Sequence, residues 1–150
     1  MNNVQAGWQP NAQDVYDFLN QQMLCVVSTI GSDGWPNAAT VAFSETPELE
    51  LIISTNKSTH KAKNIATDER VAVTVTDETT RRTVQLEGRA RQLSLEEFSQ
   101  YEPHHYEKIP FSRKFKEIPN QAFYKIVPTH LKATDISVFP WVVTEIEFKG

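Results

Sequence analysis

Residues 50–75 read ELIISTNKSTHKAKNIATDERVAVTV, and this stretch decides the fold. It starts with an apolar, strand-like run and bends through three small polar residues (54–56). It then continues as a lysine-bearing helix pattern and ends in alternating valines. The side chain of Ser58 or Thr59 can accept a hydrogen bond from the first helical turn, which predicts a helix running to about Thr67. The stretch therefore predicts a strand, a polar bend, a helix and a second strand.

The polar bend has two physical interpretations, and the local sequence leaves both open. A helix N-terminus offers free N–H groups and a positive dipole end, so it suits an anion such as a phosphate. Thr55, Ser58 and Thr59 would add hydroxyl donors, and Lys61 in the first turn would add a charge. In the alternative, the hydroxyls are ordinary caps, and Lys61 and Lys63 belong to a solvated helix face.

The rest of the chain alternates short strand patterns with turn residues and has few helix patterns. The early links are too short for parallel crossovers, so the strands must be antiparallel. About six such strands close most readily into a barrel, because closure removes exposed edges. The predicted fold class is therefore mainly β, a six-stranded antiparallel barrel with a few helices. The predicted strands are 23–30, 36–44, 49–56, 70–77, 81–93 and 141–149, with further strand material at 122–128 and 130–137.

Three other segments are predicted to be helical. Residues 12–22 have the spacing of a short amphipathic helix that starts after Asn11 or Asp14. Ser94 and Glu97 form a capping box that opens a helix. Residues 103–120 contain three prolines and are expected to form broken helical turns.

Composition bounds the class of protein. A chain of 150 residues predicts one domain, 1–150. Its 15 Lys and Arg residues are outnumbered by 19 Asp and Glu residues, so the sequence lacks the basic character typical of a nucleic-acid-binding domain. Cys25 is the only cysteine, which fits a reducing compartment and an inert core thiol. No signal peptide and no apolar run long enough for a membrane are seen, so we expect a cytoplasmic protein without a membrane partner. His104 and His105 are adjacent and cannot share a helix face, so no metal site is expected.

Three segments in this order carry a resemblance to a known family. VVSTIGSDGWPNAATVAF (26–43) is a strand, a glycine turn, a proline and a strand. The second is the opening stretch, and the third is VQLEGRARQLS (84–94), a strand with a central glycine. Their succession resembles the pyridoxamine 5′-phosphate oxidase-like family of FMN-binding split barrels, over about 15–95 closely and 120–150 loosely. The resemblance implies a six-stranded split barrel of the FMN-binding type and a homodimer with the flavin at its interface.

The resemblance also implies which positions bind the cofactor FMN. Lys61 matches a family lysine, whereas His60 stands where an arginine is common. The family binds the phosphate and ribityl chain with the polar bend and the residues that open the following helix. Here these are Ser54, Thr55, Asn56, Thr59, His60 and Lys61.

The isoalloxazine ring is implied to lie along the strand that follows the glycine–proline turn. Its small residues Ala38, Ala39, Thr40 and Val41 would let the backbone approach the pyrimidine edge of the ring. Without the resemblance, these small residues could equally pack against a bulky neighbour. Two further candidates stand later in the chain. Thr83 occupies a strand position from which a polar residue can reach the flavin, and Trp141 either stacks near it or packs in the core or a dimer interface.

The substrate region departs from the family. True pyridoxamine-phosphate oxidases hold their substrate with a Tyr, Arg and Ser series and an Arg-Leu-x-Pro ending. This chain has HHYEKIPFSRKFKEIPNQ (104–121) and VTEIEFKG (143–150) instead. We therefore expect an FMN-dependent oxidoreductase that acts on an unidentified small molecule, with no catalytic side chain identified. The alternatives are a non-catalytic flavin carrier, or a split barrel that binds haem or F420 near His130 or His104–His105.

Overall fold

The computed structural model describes residues 6–149 and shows a mainly antiparallel β structure with a few helices. The helices are α1 (Ala12–Asn20), α2 (His60–Thr67), α3 (Leu95–Phe98) and α4 (Glu102–Lys108), followed by a 3₁₀ helix at Pro110–Glu117. The strands are β1 (Leu24–Ile30), β2 (Pro36–Ala42), β3 (Ser44–Glu45), β4 (Leu51–Asn56), β5 (Arg70–Asp77), β6 (Arg82–Leu93), β7 (Gln121–Asp135) and β8 (Val142–Glu147).

The strands form one sheet in the order β2-β1-β5-β6-β7-β4-β3, and β8 pairs with β7. Every pairing found in the described residues is antiparallel. The sheet curls so that β2 and β4, far apart in this order, come near each other, and their described residues form no hydrogen-bonded ladder. The barrel is therefore open between β2 and β4, and the predicted mainly β class is confirmed.

Alternating side chains explain why these strands form and where the core lies. Val71, Val73 and Val75 of β5 are buried, while their neighbours point outward. Val84 and Leu86 of β6 are buried on the same face of that strand. These side chains fill the interior of the barrel together with side chains from β4 and β7. The alternation of apolar residues along the strands therefore determines which side chains form the core.

The strand count differs from the prediction at two places. The predicted strand 36–44 ends at Ala42, and Ser44–Glu45 form a separate two-residue ladder with β4. The predicted pieces 122–128 and 130–137 form one strand, β7, of 15 residues. The described sheet therefore contains eight strands rather than about six.

A glycine lets β7 pair with β6 along its whole length. The register shifts between Glu87 and Gly88, which face His130 and Pro128, so Thr129 is an extra residue in β7. A Cβ on Gly88 would lie 2.5 Å from the carbonyl oxygen of Val127. Only glycine permits this close backbone approach, which explains the central glycine of the third quoted segment.

The helix starts follow the predicted caps. Asn11 and Asp14 form a capping box at α1, which ends at Asn20 rather than residue 22. Thr59 caps α2, and the helix ends at Thr67 as predicted. Ser94 and Glu97 form the predicted box at α3. None of the helices within residues 6–149 is long and apolar enough to cross a membrane.

Candidate functional site

A cavity of about 470 Å³ lies where β2 and β4 approach each other, beside the start of α2 and the segment 105–121. Its volume falls within the roughly 300–1,000 Å³ of typical small-molecule sites. Half of the sequence-predicted cofactor positions line it: Thr40, Val41, Ser54, Thr55, Asn56 and Lys61. Residues about 15 positions apart in the sequence thus meet at one site because the sheet curls.

Among the described residues that line this cavity, Lys61 is the only lysine or arginine. Its side chain is half-buried, and burial lowers the pKa of its ammonium group. No carboxylate within residues 6–149 lies at salt-bridge distance from it. Lys63, two residues on, is exposed and does not line the cavity. A partly desolvated cation without a protein counter-ion is the chemistry expected of an anion site.

Hydrogen bonds inside the bend decide which hydroxyls remain available. Thr59 Oγ1 donates to the carbonyl oxygen of Asn56 (2.9 Å) and accepts from the N–H of Ala62 (3.2 Å). It also lies 3.1 Å from Thr55 Oγ1, which must be the donor because the only proton of Thr59 is already used. Thr59 is thus fully engaged in positioning the bend.

Other groups of the bend keep unused hydrogen-bonding capacity. The side chain of Ser54 has no partner among the described residues, and the same holds for the backbone N–H groups of His60 and Lys61 in the first turn of α2. The His60 side chain is exposed and outside the cavity lining. The start of α2 therefore offers N–H donors beside the Lys61 ammonium.

Among the described strands, β2 lies at the edge of the sheet and pairs with β1 alone. Its outer backbone groups are therefore free to bind a ligand. Thr40 and Val41 line the cavity, and Ala38 and Ala39 precede them on the same strand outside the lining. Ala38 is exposed, so in this chain it does not pack against a bulky neighbour.

Two predicted positions lie elsewhere in the chain. Thr83 is half-buried on β6, where it pairs with Thr76 and Thr134. Trp141 is 63% exposed just before β8. Neither lines the cavity between β2 and β4.

The sequence named His105, together with His104, only as a candidate for binding haem or F420, and the structure places His105 of α4 in the lining of this cavity. Its side chain is buried, and its Nδ1 lies 2.6 Å from Ser44 Oγ. Burial lowers the pKa of His105 to about 4, helped by the nearby charges of His104 and Lys108. Ser44 and His105 are 61 positions apart, so no local pattern in the sequence relates them.

A second polar cluster lies near the cavity but does not line it. The buried carboxylate of Glu45 forms an ion pair with Lys108 and a 2.6 Å contact with His104 Nε2. Asn20 donates to the same carboxylate. Among the described residues, no group of three or more His, Cys, Asp and Glu side chains is placed to hold a metal ion.

Comparison with known proteins identifies the family. A family model described as pyridoxamine 5′-phosphate oxidase matches residues 12–135. The chain belongs to this family. A pyridoxine/pyridoxamine 5′-phosphate oxidase from Mannheimia succiniciproducens is 29% identical over 83 residues, which are 55% of this chain and 39% of that protein.

Two solved structures show the same fold as this chain. An FMN-binding, pyridoxamine 5′-phosphate oxidase-related protein from Nostoc punctiforme has a TM-score of 0.66 and 12% identity, covering 93% of each chain. A haem-binding protein from Mycobacterium smegmatis has a TM-score of 0.77 and 12% identity, covering 93% of this chain and 59% of that one. The chain thus spans less than two thirds of the haem-binding protein and of the curated relative. The predicted split-barrel fold class is confirmed.

Proposed function

We propose that this protein binds FMN in the cavity between β2 and β4 and is an FMN-dependent oxidoreductase. The observation that carries the proposal is Lys61, a half-buried ammonium group at the start of α2 in that cavity, with no carboxylate partner within residues 6–149. Family membership and the FMN-binding relative from Nostoc punctiforme support it.

The residues of the cavity suit the two ends of FMN. Lys61 and the free N–H groups that open α2 would bind the phosphate, with Ser54 adding a hydroxyl. The free backbone edge of β2 near Thr40 and Val41 would bind the polar edge of the ring. Thr59 would act indirectly, by holding the bend in place through its three hydrogen bonds.

Bound FMN would supply the electron-transfer chemistry, and the chain would supply position and electrostatics. Residues 105–121 form the remaining wall of the cavity, where a small-molecule substrate would bind. A non-catalytic flavin carrier would bind FMN in the same way, so turnover with a reduced nicotinamide is the observation that separates an enzyme from a carrier.

Haem is the second candidate ligand, because one structural relative binds it. His105 is the histidine of the cavity lining, whereas His104 and His130 lie outside it. Its Nδ1 contacts a hydroxyl that has no other partner among the described residues, which favours a proton on Nε2 and opposes iron binding there. F420 remains a variant of the flavin proposal, and the visible spectrum distinguishes all three.

Oxidation of pyridoxamine 5′-phosphate is not expected. Lys61 is the only lysine or arginine of the lining, and in this proposal it neutralises the phosphate of FMN. A second phosphate, carried by the substrate, would then have no further lysine or arginine to pair with among the described residues that line the cavity. Peroxide production from pyridoxamine 5′-phosphate at the rate of a true oxidase would contradict this expectation.

The active form is proposed to be a homodimer in the cytoplasm. Leu24, Thr40, Phe111 and Ile118 line the cavity and are nevertheless exposed, so the cavity opens to the surface where a second copy could cover it. The single, buried Cys25 is compatible with a reducing compartment.

The test compares two lysines of the same helix. Lys61→Ala should weaken FMN binding by about 1.5–3 kcal/mol, the range for a hydrogen bond to a charged group, or roughly tenfold to hundredfold in Kd. Lys63→Ala should change the affinity by only a few tenths of a kcal/mol, because Lys63 is exposed outside the cavity. Riboflavin, which lacks the phosphate, should bind wild type and Lys61→Ala alike. Equal FMN binding by all three proteins would show that residues 54–66 are only a capped surface helix.

A further inference from the structure

The lining of the cavity divides into two chemical halves. The residues from β4 and α2 are polar or charged, whereas residues 109–118 contribute mainly large apolar side chains. Phe111 is 53% exposed and Ile118 is 42% exposed. Phe111 and Phe115 meet edge to face with their ring centres 6.0 Å apart. We call the four apolar lining residues of this segment the apolar wall: Ile109, Phe111, Phe115 and Ile118.

His105 places one polar atom beside the apolar wall. Its side chain is only 1% exposed, and Nδ1 is occupied by Ser44 Oγ. Nε2 has no hydrogen-bond partner within residues 6–149. Among the described residues, the Tyr106 hydroxyl is the only side-chain N or O atom that is both fully buried and without a hydrogen-bond partner. Because Nε2 of His105 also has no partner but is not such an atom, it keeps a small exposed area. The cavity that His105 lines is where a ligand could reach it.

The contact with Ser44 determines which ring nitrogen carries the proton. Ser44 is buried, and His105 Nδ1 is the only partner of its hydroxyl among the described residues. If Nδ1 carried the proton, the hydroxyl proton of Ser44 would be buried without an acceptor, which is costly. The hydroxyl therefore donates to Nδ1, and the proton of the neutral ring sits on Nε2. His105 thus presents an N–H donor to the cavity.

The surroundings favour a neutral ligand at this donor. The cavity lining from Ile109 to Ile118 has no charged side chain, so a charged group placed there would lose hydration without gaining a counter-ion. The ring of His105 itself stays neutral, since burial and the charges of His104 and Lys108 lower its pKa to about 4. The nearby carboxylate of Glu45 acts in the opposite direction and raises the pKa of His105, but this carboxylate is already paired with Lys108.

We propose that His105 Nε2 and the apolar wall bind a neutral, mostly apolar substrate through a carbonyl oxygen that accepts the Nε2 hydrogen bond. This deepens the proposed function by naming a substrate class, and it rests on that function only in treating the ligand as a substrate. His105 is thereby a specificity-determining residue, and Ser44 is a positioning residue that fixes the ring proton.

Two probes of nearly equal shape test the carbonyl directly. 2-Acetylnaphthalene has the acceptor oxygen, and 2-isopropylnaphthalene replaces it with a methyl group. Fluorescence titrations with FMN-treated protein should show that His105→Phe weakens acetylnaphthalene binding roughly threefold to tenfold, the value of one neutral hydrogen bond. The same variant should bind isopropylnaphthalene as wild type does. His105→Gln, which keeps an N–H near the position of Nε2, should retain most of the acetylnaphthalene affinity.

The neighbouring histidine provides the matched control. His104 lies outside the cavity lining, so His104→Gln should bind both probes as wild type does. Ser44→Ala should weaken acetylnaphthalene binding and give a mixture of ring tautomers by ¹⁵N NMR, and it serves as the test if His105→Phe does not fold. Equal losses for both probes, or no loss in His105→Phe, would overturn the inference.

Flavin absorbance of the same samples keeps the two proposals separate. If His105→Phe retains FMN and its affinities for the two probes differ as they do in wild type, the substrate inference is wrong and the proposed cofactor is unaffected. If wild type does not retain FMN, the proposed cofactor is wrong. The same titrations on untreated protein then decide whether His105 donates a hydrogen bond to the carbonyl oxygen.

Discussion

His105 should make the stability of the protein sensitive to mild acid. Burial lowers its pKa to about 4 from an ordinary value of 6.5, so the folded state resists a proton that the unfolded chain accepts. Stability is then full above about pH 6.5 and falls as the pH drops towards 4, by up to about 3 kcal/mol. Urea unfolding of wild type and His105→Gln between these pH values measures the effect.

Because His105→Gln lacks this buried imidazole, its free energy of unfolding should fall less steeply than that of wild type as the pH drops from about 6.5 towards 4. His60→Gln is the matched control, because His60 is exposed and lies outside the cavity lining. An identical slope of stability against pH in wild type and His105→Gln would contradict the buried, neutral ring described above.

At the residue scale, the sequence predicts local chemistry better than distant contacts. Thr59 as a candidate helix cap and Lys61 in the first helical turn follow from residues close together in the chain. That Lys61 lines the cavity is seen only in the structure. The contact of His105 with Ser44 and that of Glu45 with His104 were not foreseen, because each pair is about 60 positions apart. Such pairs depend on how the sheet curls, which no local pattern records.

At the element scale, Glu45 joins β3 to α4. Burial raises the pKa of this carboxylate, but hydrogen bonds from Lys108 and His104 outweigh it and lower the net pKa. Lys108 also donates to the carbonyl oxygen of Leu19 and lies over the ring of Phe43. Glu45→Gln would leave the Lys108 ammonium buried without its anion, which typically costs roughly 3–5 kcal/mol.

Chemical unfolding at neutral pH measures this cost. Glu102→Gln is the control, since its ion pair with Lys116 is exposed and the change should be far smaller. The stabilisation from Glu45 is present above its unfolded pKa and is lost as the pH falls through its lowered folded pKa. Equal stability of Glu45→Gln and Glu102→Gln would show that the buried pair does not hold α4 to the sheet.

Strands were predictable from the period of two, whereas breaks within them were not. The valines of β5 alternate without interruption, and its predicted bounds 70–77 match the structure. The break after Ala42 could not be foreseen, because Ser44 pairs with Ile52 of β4 instead of continuing along β1. In β7 the predicted gap at Thr129 is a bulge opposite Gly88, which only the partner strand reveals.

At the scale of the whole molecule, we expect a homodimer. Large apolar side chains are exposed on the described chain, among them Trp35, Phe139 and Trp141. Such exposure is typical of an interaction surface. Sedimentation equilibrium at micromolar concentration should give twice the 17.1 kDa mass of the chain. A monomer mass at that concentration, with or without FMN, would contradict the dimer.

The central claim is that the cavity between β2 and β4 holds FMN, and the visible spectrum of the protein tests it most directly. Protein mixed with excess FMN and freed of unbound flavin by gel filtration should keep about one flavin per chain and show the spectrum of oxidised flavin. Elution without flavin, or retention of haem but not of FMN in a parallel sample, would contradict the account.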